Sequence, residues 1–279
     1  MRHRSWTPVL QGRAWRGHMR RTFTAVLFAA ALVAIGVPVS TITNGEPDGN
    51  RHPYVGVAIQ PIPSMPGFFS ICSGSALSST VFLTAAHCFD PSQPAFVSYK
   101  SGPPFNFAAD FTPGTFHPDP DWCPACGPGL AGFASHDVAV ITLSAPRDPG
   151  AFAELPPAGL VDTLPMKTSV DIIGYGVQGF IRGGGQPGQV FLLTRYFAPS
   201  QLVQSNNVQS TEFIKLTANP AKGKGGTCFG DSGGPDVLSG TNTVLAVNSY
   251  VTNSNCAGVT YSNRVDLPDI LEFITGFLS

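Results

Sequence analysis

The sequence predicts an all-β fold, a barrel or a sandwich, finished by one C-terminal helix. Short runs rich in apolar and β-branched residues recur along the chain, each bounded by glycine or proline. Strand-like run follows strand-like run with no helical period between them, which excludes an α/β alternation. The 31 glycines and 26 prolines among 279 residues supply the turns that such a fold needs.

The first segment is read as a targeting signal rather than as structure. Met19-Arg20-Arg21 is a compact basic start, and Ala25 to Val37 is an unbroken apolar or glycine run. A basic start, an apolar stretch and small residues after it make a secretory signal. The run is too short for the roughly 20 residues that a membrane span requires. Ala34 and Gly36 offer a small-x-small cleavage site after Gly36, and Met19 is an alternative translation start.

The strands then follow in order. "YVGVAI" (54–59), "SGSALSSTVFLTAAH" (73–87), "DVAVITL" (137–143) and "SVDIIGYG" (169–176) are the first four runs. "TEFIKLT" (211–217), "TVLAVNSYV" (243–251) and "GVTYSNRV" (258–265) continue the series. Residues 146–164 carry four prolines and join the two halves. At the end, Leu267, Ile270, Leu271, Ile274 and Leu278 fall at helical spacing, with Pro268 in the first turn and Asp266 as the expected cap.

Charge excludes one class of partner. Net charge is -1 and only 12% of residues are charged, with no basic run in the body of the chain, so nucleic acid is not expected. The six cysteines, an even number in an exported chain, are expected to pair as disulfides.

The chemistry gathers around "TCFGDSGGPD" (227–236), where Ser232 sits between Asp231 and two glycines. A serine hydroxyl needs a base to become a nucleophile, and the base needs an orienting acid. Among the histidines, His3 and His18 lie in or before the signal, and His52, His117 and His136 stand beside turn residues or charges and read as surface groups. His87 instead closes the apolar run "VFLTAAHC" after small residues that allow a tight turn. Asp137 heads the apolar run "HDVAVITL", where a carboxylate needs a hydrogen-bond partner such as an imidazole.

"LTAAHC", "HDVAV" and "GDSGGP", in that order, resemble the secreted trypsin/chymotrypsin-like serine endopeptidases, of the bacterial kind. "ITNG" (42–45) is similar to their mature N-terminus and "GYG" (174–176) to the turn opening their second barrel. The resemblance spans about residues 42–275 and implies two packed six-stranded Greek-key β-barrels with a C-terminal helix. On that division 1–41 is signal peptide with a short propeptide, 42–155 the first barrel and 156–279 the second.

The resemblance implies roles residue by residue. His87 would be the general base, Asp137 its orienting acid, and Ser232 the nucleophile. The N–H groups of Gly230 and Ser232 would form the oxyanion hole, and Ser249 would support Asp137. Cys72 would pair with Cys88 and Cys228 with Cys256. Cys123 and Cys126 have no counterpart in the family; a local bridge is favoured over a metal half-site with His117 or a redox pair. Ile42, once freed, would place its ammonium on Asp231, yet "VPVSTITNG" holds no basic residue for a trypsin-type activator to cut. The specificity pocket would be formed by Gly226 and Thr227 at its base and by Tyr250, Val251 and Gly258 on its walls. A glycine base and a valine at the mouth imply cleavage after small to medium apolar residues.

The expected activity is peptide-bond hydrolysis by a secreted monomer on protein or peptide substrates. No cofactor, no metal and no membrane partner after signal removal are expected. The alternatives are a catalytically idle binding protein on the same fold and an esterase using the same three residues.

Overall fold

The computed structural model describes residues 42, 45–124, 126, 134–181, 188–204, 211–219 and 222–278. The signal segment lies outside these. After β1 (Glu46–Pro47), six strands form the first barrel: β2 (Val55–Pro61), β3 (Phe69–Ala76), β4 (Val81–Thr84), β5 (Ala95–Ser98), β6 (Thr112–Pro118) and β7 (Ala139–Leu143). They close antiparallel in the order β2-β3-β4-β7-β6-β5. The sequence shows why they close rather than lie open. β4 is buried along its whole length, while β6 alternates buried and exposed residues from Thr112 to Phe116. One helical turn, α1 (Phe107–Asp110), precedes β6.

The connecting stretch carries a second short turn, α2 (Leu160–Thr163). The second barrel uses β8 (Ser169–Gly174), β11 (Tyr196–Gln204), β12 (Phe213–Ala218), β13 (Pro235–Leu238), β14 (Val244–Val251) and β15 (Gly258–Arg264), with the hairpin β9 (Gly179–Ile181) and β10 (Gly188–Val190) projecting between β8 and β11. β8 pairs with both β13 and β11, which closes the ring into six strands. The run expected at 73–87 as one element is a hairpin, β3 and β4, broken by the turn at Leu77–Thr80. β1 lies before the first barrel in sequence but pairs with β11, so the division at residue 155 is crossed by the chain's first strand.

The last helix, α3 (Pro268–Thr275), returns to the first barrel: Ile270 and Ile274 are buried in its core, and the Phe277 ring lies 5.0 Å from that of His117 on β6. Asp266 does not cap it. The cap residue is Leu267, and Asp266 is buried, accepting the Val161 N–H at 2.8 Å and pairing with the Arg264 guanidinium at 2.8 Å. Arg264 also holds Asp162 of α2 at 2.9 Å. A buried cation between two carboxylates took precedence over a surface cap, because an unpaired charge there would be costly.

A second buried arginine joins the barrels. Arg195, just before β11, donates from Nε to the fully buried Asp48 at 3.0 Å. Its remaining donors reach the carbonyls of Val55 and Tyr99 of the first barrel at 2.9 and 3.2 Å, and the Asn50 side chain at 2.8 Å. His52 completes the group, with Nδ1 2.6 Å from Asp48. It is therefore not the free surface histidine that its neighbouring turn residues suggested.

Candidate active site

His87 sits in a single 3₁₀ turn, Ala86–Cys88, directly after β4. Ala85 and Ala86 are fully buried, so the chain reverses against the core where larger side chains would not fit. A disulfide from Cys88 to Cys72 on β3 fixes the turn. Asp137, just before β7, is 1% exposed. Its Oδ2 lies 2.7 Å from His87 Nδ1, and its Oδ1 accepts the His87 N–H at 2.9 Å. Ser249 on β14 donates its hydroxyl to the same Oδ2, and the Asp137 N–H donates to Asn263 Oδ1 at 3.1 Å.

Burial works to lower the His87 pKa, but the hydrogen bond and charge of Asp137 outweigh it and hold the imidazole above its ordinary value. Burial likewise works to raise Asp137, and the bonds from His87 and Ser249 outweigh it and keep the carboxyl below the usual carboxylate range. The result is an imidazole with a fixed orientation whose protonated form is stabilised.

Ser232 lies on the turn leading into β13. Its carbonyl accepts the Ser73 N–H at 2.8 Å, while the Ser73 hydroxyl donates to Gly230 O at 2.9 Å. The Gly233 N–H donates to Asn248 O at 2.8 Å. Gly233 has φ 78°, and a Cβ there would stand 2.1 Å from Thr84 Oγ1, so only glycine lets the turn approach β4 this closely. The Gly230 and Ser232 N–H groups have no acceptor among the described residues. They remain free to receive a negative oxygen. Among the described residues the Ser232 hydroxyl has no hydrogen-bond partner; a nucleophile–base bond of this kind often tightens only when substrate arrives.

His87 and Ser232 share a cavity of about 350 Å³ whose wall includes Thr227, Phe229, Tyr250 and Val251. Among the described residues no carboxylate lines it. Gly226 and Gly258, expected in the pocket, are not among the lining residues. A Cβ on Gly226 would lie 2.2 Å from Ala218, so the floor is packed shut at that level. The Tyr250 ring stacks on Tyr261 at 5.2 Å, which holds one wall. Cys228 and Cys256 form a disulfide beside it, and Cys123 is bridged to Cys126.

Asp231 is fully buried. Its carboxylate accepts the Gly176 N–H at 2.8 Å and the Cys228 N–H at 2.9 Å. Burial nevertheless pushes its pKa up to about 7, those two bonds giving partial relief. Ile42 is placed elsewhere, fully buried with Val161, Val170 and Ile172 in the core of the second barrel. In this chain its nitrogen is a peptide nitrogen.

Ser73, Asn263 and Asn248 position this site without standing in any of the three motifs. Ser73 follows Cys72 directly, and Asn263 lies in the predicted strand 258–265, but neither residue type announces a partner more than a hundred residues away.

The neighbours agree with this geometry. No curated protein sequence matches the chain. Among solved structures, "GrC" aligns with a TM-score of 0.63 at 19% identity, covering 84% of this chain and 98% of that one. HL collagenase aligns at 0.62 and 17% identity, covering 82% and 94%. Human heparin binding protein aligns at 0.59 and 17%, covering 84% and 95%. At such identities the likeness is one of fold. The sequence family adds what fold alone does not, since the Trypsin profile runs over residues 45–269 and so takes in both barrels together with His87, Asp137 and Ser232. With its two closed barrels and the cavity between base and serine, the chain belongs to the trypsin family.

Proposed function

We propose that this protein is a secreted serine endopeptidase that cleaves peptide bonds through an acyl-enzyme on Ser232. One observation carries the reading: the His87 imidazole is held by a buried Asp137 at 2.7 Å in the cavity that also contains Ser232. His87 takes the Ser232 proton as the hydroxyl attacks the scissile carbonyl, and Asp137 stabilises the imidazolium that forms. The carbonyl oxygen becomes an anion received by the Gly230 and Ser232 N–H groups. His87 then returns its proton to the leaving amine, the C–N bond breaks and the acyl group stays on Ser232. Water, deprotonated by His87, releases the acid.

The cavity supports a preference for small to medium apolar residues before the cut. Among the described residues its lining offers no carboxylate to an arginine or lysine, and Val251 adds an isopropyl group at its wall. The three disulfides fit an oxidising, extracellular setting. We place activation at Ile42, whose freed ammonium would compensate Asp231, and take the working form as a monomer acting on protein or peptide substrates.

The test is labelling of the secreted protein with a fluorophosphonate, followed by digestion of a mixed peptide library. Labelling lost in Ser232→Ala and cleavage after Ala, Val, Leu or Met is the expected result. Absence of labelling would make the chain a binding protein on this fold; labelling with ester but no peptide turnover would make it an esterase. Dominant cleavage after Arg or Lys would refute the pocket assignment.

A further inference from the structure

Beside the catalytic aspartate, the connection from β6 to β7 gathers a second set of ligating side chains. Asp119 follows β6 with its carboxyl buried, Asp121 is exposed two residues later, and His136 immediately precedes Asp137. One donor atom from each of the three lies within 4.8 Å of the other two. His136 Nδ1 stands 3.5 Å from Asp119 Oδ1 and, though that atom is buried, has no hydrogen-bond partner among the described residues. Its other nitrogen, Nε2, stands 3.7 Å from Oδ2 of Asp269 in the first turn of α3.

These separations are too long for N–H···O hydrogen bonds. The shorter one fits the gap between two ligands on one ion, since metal bonds of about 2.0–2.1 Å at tetrahedral angles put neighbouring ligand atoms about 3.3–3.4 Å apart. Asp269 stands where a small turn of the ring would let its carboxylate receive the far N–H of a metal-bound imidazole and so fix the tautomer.

We propose that Asp119, Asp121 and His136 bind a divalent cation of the zinc class, with His136 Nδ1 as the nitrogen ligand and Asp269 as its orienting carboxylate. One imidazole and two carboxylates suit zinc or a neighbouring first-row ion better than calcium, which takes six to eight oxygens. The buried Asp119 carboxylate has no lysine or arginine partner among the described residues. A bound cation would supply the missing positive charge. It would also tie together the two stems of the connection that carries Asp137, which already meet where Cys123 and Ser135 exchange hydrogen bonds at 3.1 and 2.9 Å. The expected consequence is a metal-dependent stiffening of the catalytic aspartate's mount, outside the chemistry itself.

The experiment is equilibrium dialysis of the chelator-stripped secreted protein against Zn²⁺, and separately against Ca²⁺, with melting followed in parallel. We expect one equivalent of Zn²⁺ and a raised Tm. In Asp121→Asn, whose side chain is exposed and whose fold should survive, and in His136→Gln, affinity should fall at least tenfold. His87→Ala should bind as the wild type does. Zinc binding no better than in the Asp119→Asn/Asp121→Asn double variant would overturn the proposal. So would binding that survives Asp121→Asn and disappears in His87→Ala, because the ion would then sit at the catalytic histidine. Calcium bound more tightly than zinc, and indifferent to His136→Gln, would also overturn it.

Discussion

The carboxylate of Asp231 accepts the Gly176 N–H at 2.8 Å, and a Cβ on Gly176 would lie 2.5 Å from that same carboxyl. The "GYG" turn is therefore a fitted seat for an acid adjacent to Ser232. The seat supplies two amide dipoles and no cation, which is why the Asp231 pKa climbs to about 7. An ammonium arriving from Ile42 would supply the charge, but Ile42 must first leave the second barrel's core. Protein beginning at Ile42 should be active, and protein with one added residue there should lose at least a hundredfold in kcat/KM. Full activity in a form that begins at Val37 would sink this route of activation.

Ser232→Ala or His87→Ala should each lower kcat by about 10⁴–10⁶, and the double variant should be little worse than either. Activity should rise with pH as His87 loses its proton. Because Asp137 holds that pKa up, the midpoint of the kcat/KM profile should lie above the ordinary histidine value of about 6.5. Asp137→Asn should move the midpoint down and cost about 10⁴ in kcat. A profile flat from pH 5 to 9 would remove His87 from the mechanism.

Val251→Gly should widen the cavity mouth and shift preference toward Phe and Tyr while leaving labelling of Ser232 intact. Each methylene gained or lost in such a pocket is worth about 1–3 kcal/mol, so the shift should be graded rather than absolute. An unchanged peptide-library profile would show that Val251 does not set the size limit.

Asp236 on β13 is fully buried. Among the described residues neither carboxyl oxygen has a hydrogen-bond partner, and the nearby Ser262 hydroxyl donates to Asn248 instead. Burial pushes its pKa up to about 8, and the charge of Asp231 adds to the rise. The folded chain thus keeps a proton that the unfolded chain releases near pH 4, and stability falls as pH climbs from about 4 to about 8. Asp236→Leu removes this dependence. Its advantage over wild type in denaturant melts should grow between pH 5 and pH 9 by about 2–4 kcal/mol. An advantage independent of pH would mean that Asp236 does not titrate in this range.

The sequence made seven strand runs visible because each is an apolar stretch between breakers. β6, β11 and β13 stayed hidden for a common reason: they contain Pro113 and Pro118, Pro199, and Pro235. Proline signals a turn when read locally, yet Pro199 pairs opposite Asp171 inside a closed ring. The three motifs made His87, Asp137 and Ser232 legible as a group because each carries its own small-residue and apolar frame, and the structure brings the three together. Asp236 was not legible, since a carboxylate one residue after "SGGP" reads as a turn. Nor was the pairing of Asp48 with Arg195, separated by more than half the chain, because burial of a charge is decided by what folds over it.

Arg195 has a consequence for how the molecule comes apart. Its donors are divided between Asp48 and Asn50 on one side and first-barrel carbonyls on the other, with the bonds to Asp48 and Val55 fully buried. If the first barrel melted alone, the guanidinium would lose two of its acceptors, and each hydrogen bond to a charged group is worth about 1.5–3 kcal/mol. Half-unfolded species are thereby penalised, and the two barrels should unfold in a single calorimetric transition. Arg195→Met should separate that peak into two. In that variant the cleft that holds His87 and Ser232 would survive only as long as the weaker barrel does, whereas in the wild type each barrel lends the cleft the other's resistance to melting.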